Sequence, residues 1–116
     1  MPKVSVLMSV YKTNPQYLKE AVDSILGQTF ADFEFLILDD CPSDTTVEET
    51  IKEYDDKRIK YLRNDRNMGI SDSRNKLIDL ASGEYLAVMD HDDISLPTRL
   101  TREVAFLDSH HDVVIV

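Results

Sequence analysis

Residues 85–97 read YLAVMDHDDISLP, an apolar run followed at once by Asp90, His91, Asp92 and Asp93. The chain holds 22 acidic against 13 basic residues and a formal net charge of −9. Crowding three more carboxylates together is costly unless they are well solvated or a cation sits among them. Pro97 opens the next helix several residues later, too far for these aspartates to cap it. In an extended segment residues i and i+2 point the same way, so Asp90 and Asp92 are expected to share one side, with His91 and Asp93 opposed. Two carboxylates on one side suit a hard divalent cation, Mg²⁺ or Mn²⁺, whose shell is completed by water and substrate phosphate. The alternative is a solvated acidic loop. His91 reads as a solvated loop residue rather than a ligand, and His110 and His111 as surface residues at a helix end.

These residues need elements to position them, and the hydrophobic pattern supplies a strand–helix alternation. VSVLMSV (4–10) is a nearly unbroken apolar run of buried-strand length. Asn14-Pro15 then caps and starts a helix bearing Leu18, Ala21, Val22, Ile25 and Leu26, with Gly27 as its stop. FEFLIL (33–38) is a second strand, followed by Asp39-Asp40 and a turn through Cys41-Pro42. Ser43 or Asp44 caps a short helix with Val47, Ile51 and Tyr54 on one stripe. IKYLR (59–63) is a third strand, and the NDRNMG loop leads to a helix whose Ile70, Arg74, Leu77, Ile78 and Ala81 share a face. EYLAVM (84–89) is a fourth strand, a helix carries Leu100, Val104 and Leu107, and VVIV (113–116) is a fifth strand.

That alternation predicts an α/β fold, a Rossmann-like, mostly parallel sheet with helices on both faces. In such folds ligands bind beyond the carboxyl ends of the strands, where strand order reverses. Tyr11 to Thr13, Asp39-Asp40, the loop 64–69 and Asp90 to Asp93 each follow a strand, so all are expected at one edge.

Bulk composition narrows the function class. A chain of 116 residues, 42% hydrophobic and 30% charged, is one globular domain. Its acidity argues against a nucleic acid or an anionic membrane as main partner. A single Cys41 allows no internal disulfide and fits a reducing, cytoplasmic compartment. Cys41 reads as an incidental small residue. No apolar run approaches the length of a membrane span.

Taken together, VSVLMSVYK, AVDSILGQTFADFEFLILDDCPSD and NMGISDSRNKLIDLASGEYLAVMDHDD resemble the inverting nucleotide-sugar glycosyltransferases of the GT-A fold, family 2 type. The resemblance spans nearly the whole chain and implies that residues 1–116 form the N-terminal, nucleotide-sugar-binding half. It implies that Ser9 to Tyr11 meet the nucleotide base, with Tyr11 against its ring, and that Asp40, with Asp39, accepts a hydrogen bond from the base of a UDP-sugar. It implies further that Arg74 approaches the nucleotide, that Asp90 faces the ribose or sugar, and that Asp92, with Asp90, holds Mn²⁺ or Mg²⁺ on the diphosphate. The acceptor, a glycan or a lipid-linked glycan, and the general base are expected of residues past Val116. Polysaccharide or cell-surface glycan synthesis, at the inner face of the membrane in a longer protein, is the implied setting. Self-association through the face that the second half would cover is a further expectation. The family commonly has Asn where Lys12 stands and Gly where Cys41 stands.

Plainer roles remain open for the same residues. Tyr11 could cap the sheet edge, Asp39-Asp40 could shape a turn, and Arg74 could pair with Asp72 or Asp79 on its own helix. Two other function classes also fit: a non-catalytic nucleotide-sugar-binding module, and an acidic receiver domain of a signalling relay. The receiver would need an acidic pair after the first strand, where Ser9-Val10-Tyr11 stands.

Overall fold

A computed structural model of the chain describes residues 2–110 and residue 115. The elements alternate as β1 (Val4–Val10), α1 (Pro15–Leu26), β2 (Phe33–Asp39), α2 (Thr46–Lys52), β3 (Ile59–Arg63), α3 (Ile70–Leu80), β4 (Tyr85–Asp90) and α4 (Arg99–Ser109). The four strands form one sheet in the order β3-β2-β1-β4, and every neighbouring pair is parallel. This is the Rossmann order rather than the 2-1-3 order of receiver folds, and it removes the receiver reading. The direction of winding reverses between β1 and β4, which makes the carboxyl ends of those two strands the expected crevice.

Side chains alternate across the sheet with period two, and each face finds its own helices. Val4, Val6, Met8 and Val10 of β1 join Phe33, Phe35 and Ile37 of β2 and Tyr85, Ala87 and Met89 of β4 on one face. There they pack against Leu18, Ala21, Val22 and Ile25 of α1, Val47 and Ile51 of α2, and Leu100, Val104 and Leu107 of α4. Leu7, Leu36 and Leu38 point to the other face, where Leu77 of α3 covers them. Full burial of a leucine of this kind contributes roughly 1.5–3 kcal/mol.

The cap read from the sequence is present: the Asn14 side chain accepts from the Gln16 amide at 2.8 Å, with Pro15 opening α1. The expected cap of α2 shifts by one residue: Thr45 is the N-cap and makes no side-chain capping bond, while Asp44 just before it accepts from the Thr46 amide at 2.9 Å. The expected face of α3 is corrected in part. Leu77 and Ala81 pack on the sheet as expected and Ser73 is buried beside them, while Ile70 and Ile78 stay 56% and 39% exposed. Among the described residues one helix covers this side of the sheet, and a narrow i, i+4 stripe suffices to meet β1 and β2. The expected strand at 113–116 lies outside the described residues apart from Ile115, which makes a parallel bridge to Leu86. His111 lies outside them as well. Among the described residues no helix is long and apolar enough to cross a membrane.

Candidate functional site

Strand register brings the polar residues to one edge. Ser9 pairs with Asp90 across β1 and β4, Val10 pairs with Asp39 across β1 and β2, and Asp39 pairs with Arg63 across β2 and β3. A cavity of about 320 Å³ lies there, lined by Ser9, Tyr11, Asp40, Asn67, Gly69, Ile70 and His91. Tyr11 is 44% exposed, with the Lys12 ammonium 5.5 Å from its ring centre. Lys12 itself sits at φ +47°, in the left-handed region that Asn tolerates far better than Lys.

The two adjacent aspartates after β2 are placed differently. Asp39 is fully buried; one carboxylate oxygen accepts from the Cys41 amide at 3.0 Å and the other from the Tyr61 hydroxyl at 2.7 Å. It shapes the turn and does not line the cavity. Burial raises the pKa of the Tyr61 phenol, and the Asp39 carboxylate beside it adds to the rise. Asp40 does line the cavity and ties the opposite wall in place. Its Oδ1 accepts from the Asn64 side-chain amide at 2.8 Å and the Met68 backbone at 2.7 Å, and its Oδ2 from the Gly69 backbone at 2.9 Å. Gly69 takes φ +84°, a conformation that suits glycine, and opens α3. Asn64 is buried and accepts in turn from the Lys76 ammonium at 2.9 Å.

The acidic segment does not run on as a strand. The Asp93 amide donates back to the Asp90 carbonyl at 3.1 Å, so the chain turns and Asp93 swings round. Carboxylate oxygens of Asp90, Asp92 and Asp93, all exposed, lie within 4.8 Å of one another. The expectation that Asp93 opposes Asp90 and Asp92 is therefore corrected; i, i+2 alternation fails where a turn replaces the strand. Hard oxygen donors this close fit a Mg²⁺ or Mn²⁺ ion that keeps part of its water shell. Arg74 donates to Asp90 Oδ1 at 2.8 Å, rather than pairing with Asp72 or Asp79 on its own helix.

A buried glutamine sets the far side of this segment. Gln28, just past α1, donates to the carbonyls of Ser24 at 2.9 Å and Leu96 at 2.7 Å, and accepts from the Leu100 amide at 3.0 Å. Beyond it, a second cavity of about 400 Å³ lies between the loop 93–98 and the start of α4. There Arg99 reaches the Val88 carbonyl at 2.9 Å and the Ser95 hydroxyl at 3.1 Å.

Of the residues singled out in the sequence, Ser9, Tyr11 and Asp40 share the first cavity, while Asp90, Asp92 and Arg74 form a separate group beside it. Sequence reasoning missed His91 as a cavity residue. Asn67 and Gly69 lie in the loop 64–69 that the sequence places at this edge without giving them a role, and Ile70, read onto the covered face of α3, was missed. Cys41 is buried and unbonded to any other cysteine.

With this geometry in hand, the comparisons with known proteins are informative. The sequence profile described as "Glycosyl transferase family 2" matches residues 5–116. An uncharacterized glycosyltransferase of Methanocaldococcus jannaschii is 45% identical over 114 residues, 97% of this chain and 39% of that protein. The UDP-Glc:alpha-D-GlcNAc-diphosphoundecaprenol beta-1,3-glucosyltransferase WfgD of Escherichia coli is 34% identical over 104 residues, 90% of this chain and 40% of that protein. The crystal structure of S. aureus TarS 1-349 in complex with UDP-GlcNAc superposes with a TM-score of 0.81 at 31% identity, covering 94% of this chain and 32% of that one. The chain thus spans about two fifths of the length of these curated relatives.

Proposed function

The chain belongs to glycosyl transferase family 2, and from that premise we propose that it binds the UDP-sugar donor of a metal-dependent, inverting glycosyltransferase. The observation that carries this reading is the cavity itself. It joins an exposed aromatic ring, Tyr11, to a carboxylate, Asp40, directly beside a cluster of three more carboxylates.

Each group has a chemical counterpart in the donor. The Tyr11 ring offers a face for a planar base. Asp40 spends its oxygens on three donors, yet a carboxylate has about four acceptor positions, which leaves one for a uracil imide N–H. Ser9, paired with Asp90, lines the floor between them. Asp39 acts from beneath by fixing the turn that presents Asp40. Asp90 and Asp92, with Asp93 alongside, would hold Mn²⁺ or Mg²⁺, with Asp90 also within reach of the ribose or sugar. When bound, that ion supplies the positive charge that a leaving diphosphate needs. Arg74 adds a second positive group beside Asp90. The TarS complex and the WfgD name speak for uridine nucleotides in two relatives, and this chain is given the same donor class by analogy.

The remainder of the proposal concerns the longer proteins that the relatives represent. The acceptor, a glycan or lipid-linked glycan in polysaccharide or cell-surface synthesis, and the general base belong to residues past Val116. Such a protein would work in the cytoplasm, at the inner membrane face. Ile94 and Leu96, 65% and 70% exposed beside the second cavity, are the apolar surface its further residues would cover, or through which the chain would self-associate.

Calorimetric titration of UDP into the protein tests the reading. Binding in Mn²⁺, weakened by EDTA and lost in Asp92→Ala, is the expected result. Equal binding in EDTA and in Asp92→Ala would remove the metal role. No UDP binding under any condition would remove the nucleotide reading.

A further inference from the structure

The wall of the first cavity that carries Asp40 is held from behind by a chain of side chains that ends in a cation. The Lys76 ammonium, on α3, donates to Asn64 Oδ1 at 2.9 Å. The Asn64 amide nitrogen donates to Asp40 Oδ1 at 2.8 Å and to the Ser73 hydroxyl at 3.2 Å. Asn64 and Asp40 are 1% and 3% exposed, so their polar atoms depend on one another rather than on water. Lys76, half-buried, spends its hydrogen bond on a neutral amide. Turned over, that amide would set its oxygen against the Asp40 carboxylate and its NH₂ against the ammonium, two repulsions in place of two charge-assisted hydrogen bonds. A cation at one end and an anion at the other leave a single orientation.

That orientation decides how Asp40 meets a ligand. Each carboxylate oxygen has about two acceptor positions. Oδ1 fills both, with Asn64 and the Met68 amide, and Oδ2 fills one, with the Gly69 amide. The position left over is on Oδ2. Resting on the nucleotide reading above, we infer that Lys76 is a positioning residue for base recognition: acting through Asn64, it keeps Asp40 Oδ1 saturated and reserves Oδ2 for an N–H of the bound base. The arrangement favours uracil over cytosine, a pyrimidine of nearly the same size. Uracil offers an N–H at N3, whereas neutral cytosine has a lone pair there, which would face the carboxylate. A loose carboxylate could swing to accept from the cytosine amino group instead. One held by three donors does so only by breaking a buried hydrogen bond.

Titrations of UDP and CDP in saturating Mn²⁺ test this for the unaltered protein, Lys76→Met and Lys76→Arg, with thermal unfolding to confirm folding. Both nucleotides carry the same diphosphate, so loss of a cation's general attraction would weaken them alike. Lys76→Met is expected to lose about three- to tenfold in affinity for UDP and nothing for CDP, narrowing the preference between them by that factor. Lys76→Arg, which keeps a charged donor, should retain most of the preference. Asn64→Asp, which sets a second carboxylate against Asp40 Oδ1, tests the same link from its other end and should narrow the preference at least as far. An unchanged preference in Lys76→Met or Asn64→Asp, or equal losses for the two nucleotides, would overturn the inference and leave the nucleotide reading standing. An unaltered protein that binds CDP as well as UDP would overturn the pairing of Asp40 with uracil and the inference with it. One that binds neither would overturn the nucleotide reading itself.

Discussion

The guanidinium of Arg74, on α3, donates to Asp90 Oδ1 at 2.8 Å and so links that helix to the carboxyl end of β4. Both side chains are about half exposed, which makes the pair weak as a source of stability. Its interest lies in competition, because the same carboxylate is a proposed metal ligand. Arg74→Gln should change the unfolding free energy by less than about 1 kcal/mol. It should tighten Mn²⁺ binding without nucleotide by about two- to fivefold, since a nearby positive charge is removed. Water-proton relaxation in a Mn²⁺ titration would measure this, and unchanged affinity would show that Arg74 and the metal do not share Asp90.

Glu34 is a buried carboxylate beneath the sheet edge, far from the cavity residues in sequence and role. Burial pushes its pKa up, but hydrogen bonds from the Lys60 ammonium, the Ser5 hydroxyl and the Ser82 amide outweigh that and bring it from 4.5 down to about 2. A carboxylate lowered by folding gives stability that is complete above its unfolded pKa and is lost as pH falls through the folded one. Urea unfolding should therefore show a decline between about pH 5 and pH 2, worth about 3 kcal/mol in total. Glu34→Gln should flatten the curve in that window and lower stability above it. A variant with the same acid profile as the unaltered chain would refute the assignment.

Lys12 illustrates a residue at odds with its backbone. Its φ of +47° costs a non-glycine side chain roughly 1 kcal/mol, and Asn bears that conformation with less strain. Lys12→Asn should raise stability by about 0.5–1 kcal/mol in chemical denaturation. The Lys12 contact with the Tyr11 ring is long and exposed, so its loss should offset little of this gain.

Gly83 is needed for space. A Cβ placed there would lie 2.6 Å from both the backbone nitrogen and the hydroxyl of Ser5, and 2.7 Å from the Val4 carbonyl carbon. Gly83 also donates its amide to the Ser5 hydroxyl at 2.8 Å. Gly83→Ala must push β1 aside and should destabilise by about 1–3 kcal/mol in the same measurement. A neutral substitution would mean that the turn before β4 can shift without cost.

Much of this architecture was legible because buried parallel strands write themselves as apolar runs. In β1 and β2 every apolar residue of the run is buried, and the polar Ser5 and Glu34 are buried with them. Asn14-Pro15 announced α1 through local chemistry that needs no tertiary context, whereas Asp44 marked the turn one residue before the cap of α2. The face of α3 was misread because Ser73, a small polar residue, packs inward while Ile70 and Ile78 face water; periodicity weighs hydrophobicity, not fit. At the site, Asp39 and Asp40 are neighbours of one type, and only the pairing of β2 with β3 decides that Tyr61 claims the first and leaves the second to the cavity. The turn that gathers Asp93 is a single backbone hydrogen bond, invisible to any spacing rule.

The pairing of Ser9 with Asp90 joins the first strand of the sheet to the last one described, with every other strand and three helices lying between them in sequence. Contacts of such long sequence separation form late, because the loop they close is large and all three ladders are parallel. The site is thus absent until β4 docks, and nothing that binds there can speed the steps before it. UDP and Mn²⁺ together should slow unfolding in stopped-flow experiments while leaving the refolding rate nearly unchanged. The ligand would act as a latch on a finished molecule, not as a template for making one.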